Sequence, residues 1–167
     1  SFGINRVTRA EELTEAVSAA FDHDREILLE EAVPGFEAGC AVLGNPPALT
    51  VGAVDEIELS GGFFDFEEKY SLKTSAMHCP ARIPPAWEKA IGEAALTVFQ
   101  ILGLSVYARA DFIVTSDGIP YFLEINTLPG LTPTSLVPQE AAAVGISYAS
   151  LCETIIQKSM EARKEGL

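Results

Sequence analysis

VYARADFIVTSDGIPYFLEIN, residues 106–126, reads as two largely apolar runs on either side of Asp117-Gly118. Asp-Gly between such runs marks a two-residue hairpin turn. Pairing outward from that turn sets Asp111 opposite Glu124, Arg109 opposite Asn126 and Ile113 opposite Phe122, all on one face because side chains alternate along a strand. The other face, with Ala110, Phe112, Val114, Tyr121, Leu123 and Ile125, is wholly apolar and is expected in the core. Two carboxylates directly across a ladder repel each other unless something positive sits between them. Asp111, Glu124 and Asn126 offer hard oxygens suited to Mg²⁺, and Arg109 adds a planar fork for phosphate. The plain alternative is a solvated strand face on which Arg109 neutralises the two acids.

Working outward, TRAEELTEAVSAAFDHD (8–24) has helical apolar spacing, with Thr8 and Glu11 reading as a capping box. EILLEEAV (26–33), FEAGCAVLG and ALTVGAVDEIEL are expected to form an antiparallel meander, broken at Pro34-Gly35 and Asn45-Pro46-Pro47. The aperiodic stretch 60–76, with Gly61-Gly62, reads as a long mobile loop. A helix follows from Pro85 to about Gly103, then the hairpin, then a short helix near Pro138 to Val144 and an amphipathic one from about Tyr148 to Arg163. Cys40 and Trp87 are expected to pack, and His23 and His78 to be solvated and outside any ligand pattern.

The 167 residues, 48% hydrophobic, suffice for a domain-sized core, and a net charge of −13 excludes general binding to nucleic acid. Three cysteines without CxxC spacing give no support to a disulfide framework and fit a reducing cytoplasm. No apolar run approaches the ~20 residues that span a bilayer, so no membrane association is expected. The start at Ser1, without Met, leads us to expect a piece of a longer protein.

RAD (109–111), EINTLPG (124–130) with Thr132 and Ser135, FFDFEEKY (63–70) and LLEEAVPGFE (28–37) together resemble the D-alanine:D-alanine ligase family of the ATP-grasp superfamily, over its C-terminal half. SFGI (1–4) and GGFF (61–64) are also similar to the D-alanine:D-serine ligases of vancomycin resistance. The resemblance implies an α+β fold, an ATP-grasp C-terminal domain with a mostly antiparallel sheet and flanking helices. It also implies a nucleotide hinge, a mobile lid at about 60–76 and a metal-binding hairpin at 105–127, with the N-terminal domain and the first part of the ATP-binding domain absent. The implied activity is ATP-dependent joining of D-alanine to a second D-amino acid through D-alanyl phosphate, for peptidoglycan synthesis in the cytoplasm, by a homodimer when full-length.

The resemblance also distributes roles. Asp111, Glu124 and Asn126 would hold two Mg²⁺ ions, with Mn²⁺ as a substitute, across the ATP phosphates. Arg109 would hold the transferring phosphoryl group, Lys69 would reach the ATP phosphates, and the Gly130 N–H would stabilise the oxyanion. Glu30, Glu31, Ala32 and Val33 would contact adenine, Glu37 the ribose, and Ile113 with Phe122 would floor the base. Tyr70, Ser135, Leu136 and Ser1 would meet the amino-acid substrates, with Tyr70 favouring an amine nucleophile. Competing readings are a non-catalytic ATP-binding module and an ATP-grasp ligase for another carboxylate.

Overall fold

The computed structural model describes residues 3–59 and 75–166 and divides into two compact units, Ser1–Val33 with Leu59–Ser75, and Pro34–Glu58 with Ala76–Leu167. In the first unit a 3-10 turn, Ala10–Glu12, leads into α1 (Leu13–Phe21). The acid that caps this start is Glu12, not the expected Glu11: its Oε2 accepts from the N–H groups of Thr8 and Arg9 at 3.1 and 3.2 Å. EILLEEAV forms no strand, and Leu28 and Leu29 are 85% and 71% exposed. An extended segment becomes a strand only when a neighbour takes up its backbone groups, and no ladder partner lies beside 26–33 among the described residues.

The second unit is built on five strands, β1 (Phe36–Asn45), β2 (Ala48–Leu59), β3 (Ser75–His78), β4 (Val106–Val114) and β5 (Pro120–Asn126). They lie in the order β3-β2-β1-β4-β5, with β1 antiparallel to β2 and β4, and β4 antiparallel to β5. The expected loop therefore ends earlier than residue 76, in the edge strand β3. The helices are α2 (Pro85–Ile101), α3 (Leu136–Ala143) and α4 (Tyr148–Glu165). Pro85 opens α2, and Gly103, at φ 62°, closes it with the Leu104 N–H on the Phe99 carbonyl and the Gly103 N–H on that of Gln100, a Schellman ending. No helix among the described residues is long and apolar enough to cross a membrane.

Strand alternation sorts the core into two clusters on opposite faces. Ala38, Cys40 and Val42 of β1 and Ala108, Ala110, Phe112 and Val114 of β4 meet Ile91, Ala95 and Phe99 of α2. Ala41, Leu43 and Tyr107 on the opposite face meet Val137 and Ala141 of α3 and Leu151 of α4. Helices α3 and α4 thus cover one end of that second face and leave the remainder of it for the site. Trp87 packs against the first cluster and lies over Gly118, where a Cβ would meet the indole at 2.2 Å.

His78, as expected, belongs to no metal-ligand group among the described residues; its Nε2 lies 3.0 Å from Glu58 Oε2. Arg82 completes this cluster by hydrogen-bonding both Glu56, at 2.7 Å, and Glu58, at 2.8 Å. The hydrogen bonds from Arg82 hold Glu56 below its ordinary 4.5. Its contribution to stability is therefore present above pH 4.5 and lost as pH falls through the lower folded-state value. Arg82→Gln should flatten the acid limb of a Tm-against-pH curve and change Tm little at neutral pH, where an exposed pair contributes on the order of 1 kcal/mol or less. An unchanged acid limb would remove Glu56 as its source.

Candidate active site

The site occupies the face of the sheet that α3 and α4 leave uncovered. Ladder register aligns Asp55 (β2), Gly39 (β1), Asp111 (β4) and Glu124 (β5) in one row across four strands. On one side of it lies a row of Ile57, Glu37, Ile113 and Tyr121, and on the other Ala41, Arg109 and Asn126. Same-face residues two apart along a strand are about 7 Å apart.

The Asp111–Glu124 and Arg109–Asn126 pairs are those expected, although two departures lie behind them. The turn is a three-residue loop, 116–118, closed by the Thr115 N–H on the Ile119 carbonyl, with Gly118 at φ 83°. The two-residue turn expected from Asp117-Gly118 is thus corrected, and the register near the loop shifts by one residue. The shift is undone at a β-bulge between Phe112 and Asp111, where Leu123 is the extra residue on β5. Between loop and bulge the expected pairing fails: Ile113 faces Tyr121, while Phe122 faces Phe112, the rings edge-to-face at 6.0 Å. Phe122 therefore does not share a floor with Ile113. Tyr121 and Leu123, expected in the core, are 47% and 49% exposed on the edge strand.

Arg109 is the electrostatic centre. Its Nη2 lies 2.7 Å from Asp111 Oδ1, and its Nε lies 3.6 Å from Glu140 Oε1 and 3.9 Å from Asp55 Oδ2. Burial works to lower the guanidinium pKa, but Asp111, Asp55, Glu140 and Glu124 outweigh it, and the net shift is upward. Asp55 and Glu140 are both fully buried. Each is anchored on β1, Asp55 Oδ1 accepting the Gly39 N–H at 2.9 Å and Glu140 Oε2 that of Ala41. Sequence reading missed both residues. The available signals were an acid inside the apolar run VGAVDEI and the single charge of α3, LVPQEAAA.

Beyond β5 the chain turns sharply. Asn126 Oδ1 accepts the Leu128 N–H at 3.0 Å, which orients the amide and leaves acceptor capacity on its oxygen. Ser135, the residue preceding α3, accepts the Thr132 N–H at 3.1 Å. A Cβ on Gly130 would meet the Ser135 hydroxyl at 2.9 Å, so glycine here brings the Gly130 backbone against Ser135 and the start of α3 at Leu136. The Tyr148 hydroxyl donates to the Leu131 carbonyl at 2.6 Å and holds this loop to α4.

Glu30, Glu31, Ala32 and Val33 belong to the first unit, on the segment without a strand partner. Ser1, Lys69, Tyr70 and the lid stretch 60–74 lie outside the described residues.

The donor set fits a hard divalent cation. One guanidinium stands among four carboxyl groups, and Glu124 and Asn126 are exposed beside Asp111. No three His, Cys, Asp or Glu side chains converge as a metal cage among the described residues. Such an open set of two carboxylates and an amide suits Mg²⁺, which keeps water and substrate phosphate in its shell.

The five-stranded antiparallel open sheet with flanking helices is an ATP-grasp architecture, α+β as expected. Residues 1–157 match the family model described as D-ala D-ala ligase C-terminus. The vancomycin C-type resistance protein VanC1 of Enterococcus gallinarum is 44% identical over 98% of this chain and 48% of its own length. A D-alanine–D-alanine ligase of Nitratidesulfovibrio vulgaris is 42% identical over 97% of this chain and 52% of its own. Among solved structures, the VanG D-Ala:D-Ser ligase from Enterococcus faecalis superposes with a TM-score of 0.83 at 46% identity, covering 93% of this chain and 45% of that one. The Bacillus anthracis D-alanine–D-alanine ligase complexed with ATP gives 0.79 at 34% identity, covering 96% and 51%. The chain belongs to the D-alanine:D-alanine ligase family, and it spans about half the length of the curated relatives it matches.

Proposed function

We propose that this chain supplies the nucleotide- and metal-binding part of an ATP-dependent ligase that joins D-alanine to a second D-amino acid for peptidoglycan precursors. The observation that carries the reading is the Asp111–Glu124 ladder pair with Arg109 and Asn126 in the adjacent row. The three rows follow the length of a nucleotide. Ile113, with Tyr121 opposite it in place of Phe122, offers a floor for adenine, and Glu37 beside it an acceptor for ribose hydroxyls. Asp111, Glu124 and Asn126 would hold the Mg²⁺ ions, whose chemistry is to neutralise the β- and γ-phosphates.

Arg109 orients the transferring phosphoryl group. A D-alanine carboxylate oxygen forms a bond to the γ-phosphorus, and the bond to the β-bridging oxygen breaks, releasing ADP. The amine of the second substrate then attacks the acyl carbon. Phosphate leaves, and the new amide nitrogen loses its proton to solvent. The Gly130 N–H stabilises the oxyanion formed in that attack, and Ser135 and Leu136 receive the second substrate's carboxylate at the start of α3. From the resemblance, Glu30, Glu31, Ala32 and Val33 contact adenine, Lys69 reaches the phosphates from a lid over residues 60–74, and Tyr70 and Ser1 meet substrate. The proposed setting is the cytoplasm, where ATP is available, and the proposed assembly is a homodimer.

Similarity to the VanG D-Ala:D-Ser ligase favours D-serine as a second reading for the incoming amine. The test is ADP formation by the complete ligase carrying this chain, with D-alanine alone and with D-alanine plus D-serine or D-lactate. D-Alanine-dependent ADP formation with a dipeptide product is expected. Faster turnover with added D-serine and a mixed dipeptide would select the second reading. ATP binding without ADP formation under any amino acid would overturn both in favour of a non-catalytic module.

A further inference from the structure

Three polar atoms without a hydrogen bond meet beneath the sheet face: Arg109 Nε, Asp55 Oδ2 and Glu140 Oε1. They come from three elements far apart in the chain, β4, β2 and α3. The pocket that admits them is built. A Cβ on Gly39 would meet Arg109 Nε at 2.6 Å and Asp55 Oδ1 at 2.9 Å. One on Gly52 would meet the Glu140 side chain at 3.2 Å. Gly52 and Ala53 lie opposite Ala41 where β2 carries an extra residue, so a bulge opens the strand at the point where Glu140 enters. Burying two carboxyl groups is unfavourable by several kcal/mol unless their partners are well placed, and here both acids point at one edge of one guanidinium.

We propose that Glu140, acting with Asp55, is a positioning residue that holds Arg109 at Nε and thereby aims its terminal nitrogens at Asp111 and the phosphate site. The consequence for turnover rests on the ligase reading above, whereas the clamp itself does not. Burial first, then the nearby charge of Asp55, pushes the Glu140 carboxyl well above 4.5. A guanidinium held at Nε presents its terminal nitrogens with fewer orientations to lose, and a displacement of about 1 Å at such a group can cost on the order of 100-fold in rate. Glu140 touches no reacting atom in this scheme. It acts through Arg109.

Glu140→Gln tests the clamp with little change of volume. Glutamine keeps one acceptor oxygen for the Ala41 N–H and removes the charged oxygen that faces Arg109 Nε at 3.6 Å. In arginine-¹⁵N-labelled ligase, the Nε–H signal that disappears in Arg109→Lys should exchange slowly with water in the parent, and at least about tenfold faster in Glu140→Gln. Equal exchange in the two would overturn the clamp, whatever the activity. In steady-state assays Glu140→Gln should lower kcat about 10- to 100-fold with KM for ATP and D-alanine within about twofold. In an Arg109→Lys background the same substitution should cost no further rate. An undiminished loss there would show that Glu140 acts other than through Arg109. A parent enzyme without D-alanine-dependent turnover would refute the ligase reading, and the exchange measurement would still decide the clamp.

Discussion

Replacing Glu124 by glutamine in the proposed full-length ligase is expected to lower kcat by about 10²- to 10³-fold, the usual cost of removing one preorganised electrostatic contact from a transition state. Glutamine matches the shape of glutamate, so β5 and its bulge should persist. It removes a charge directly across the ladder from Asp111 and turns one oxygen into an N–H₂ donor. A cation held between these rows would lose affinity and would neutralise less phosphate charge. Activity should recover in part at raised Mg²⁺ or Mn²⁺, and the metal concentration for half-maximal rate should rise. Glu124 is exposed and lies on the edge strand β5, so the thermal midpoint should move little. Wild-type kcat in Glu124→Gln would remove this residue from the site and leave the Asp111–Glu124 pairing without a chemical role.

Phe99→Ala should give the largest loss of stability. Phe99 is wholly buried on α2, packed with Ile91 and Ala95 against the β1–β4 side of the sheet. Truncating a ring there removes its transfer free energy and leaves a cavity, together about 3–5 kcal/mol. For a chain of this size that lowers Tm by on the order of 10 °C. Denaturant melts should show a lower midpoint with an unchanged slope. Ile101, two residues along the same helix and 78% exposed, is the control: its replacement by alanine should stay within about 0.5 kcal/mol. Comparable losses at both positions would mean that α2 is not held by the Phe99 face.

Much of the fold and half of the site are local, and local features are legible. Helical spacing with Pro85 at one end and Gly103 at the other located α2. Asp-Gly between apolar runs located the hairpin, and two-residue periodicity put Arg109, Asp111, Glu124 and Asn126 on one face. That placement survived for a reason the sequence reading did not contain: a longer loop and a bulge at Leu123 displace the register in opposite senses. Periodicity carries no mark of a bulge, so alternation alone matches Ile113 with Phe122, whereas Phe122 lies opposite Phe112 and packs on its ring.

What only the tertiary structure decided involves partners distant in the chain. EILLEEAV has strand composition but no ladder beside it among the described residues, and Ser75–His78 is a strand because β2 lies next to it. Asp55 and Glu140 belong to the site through contacts that chain proximity does not encode, the Ala41 N–H and the Glu140 carboxylate being 99 residues apart. Amino-acid pattern determines which way a side chain points from its own strand or helix, because that follows from backbone geometry over a few residues. Which charges then meet under Arg109 depends on how α3 packs over β1, a choice made by the whole hydrophobic core rather than by any one segment of it.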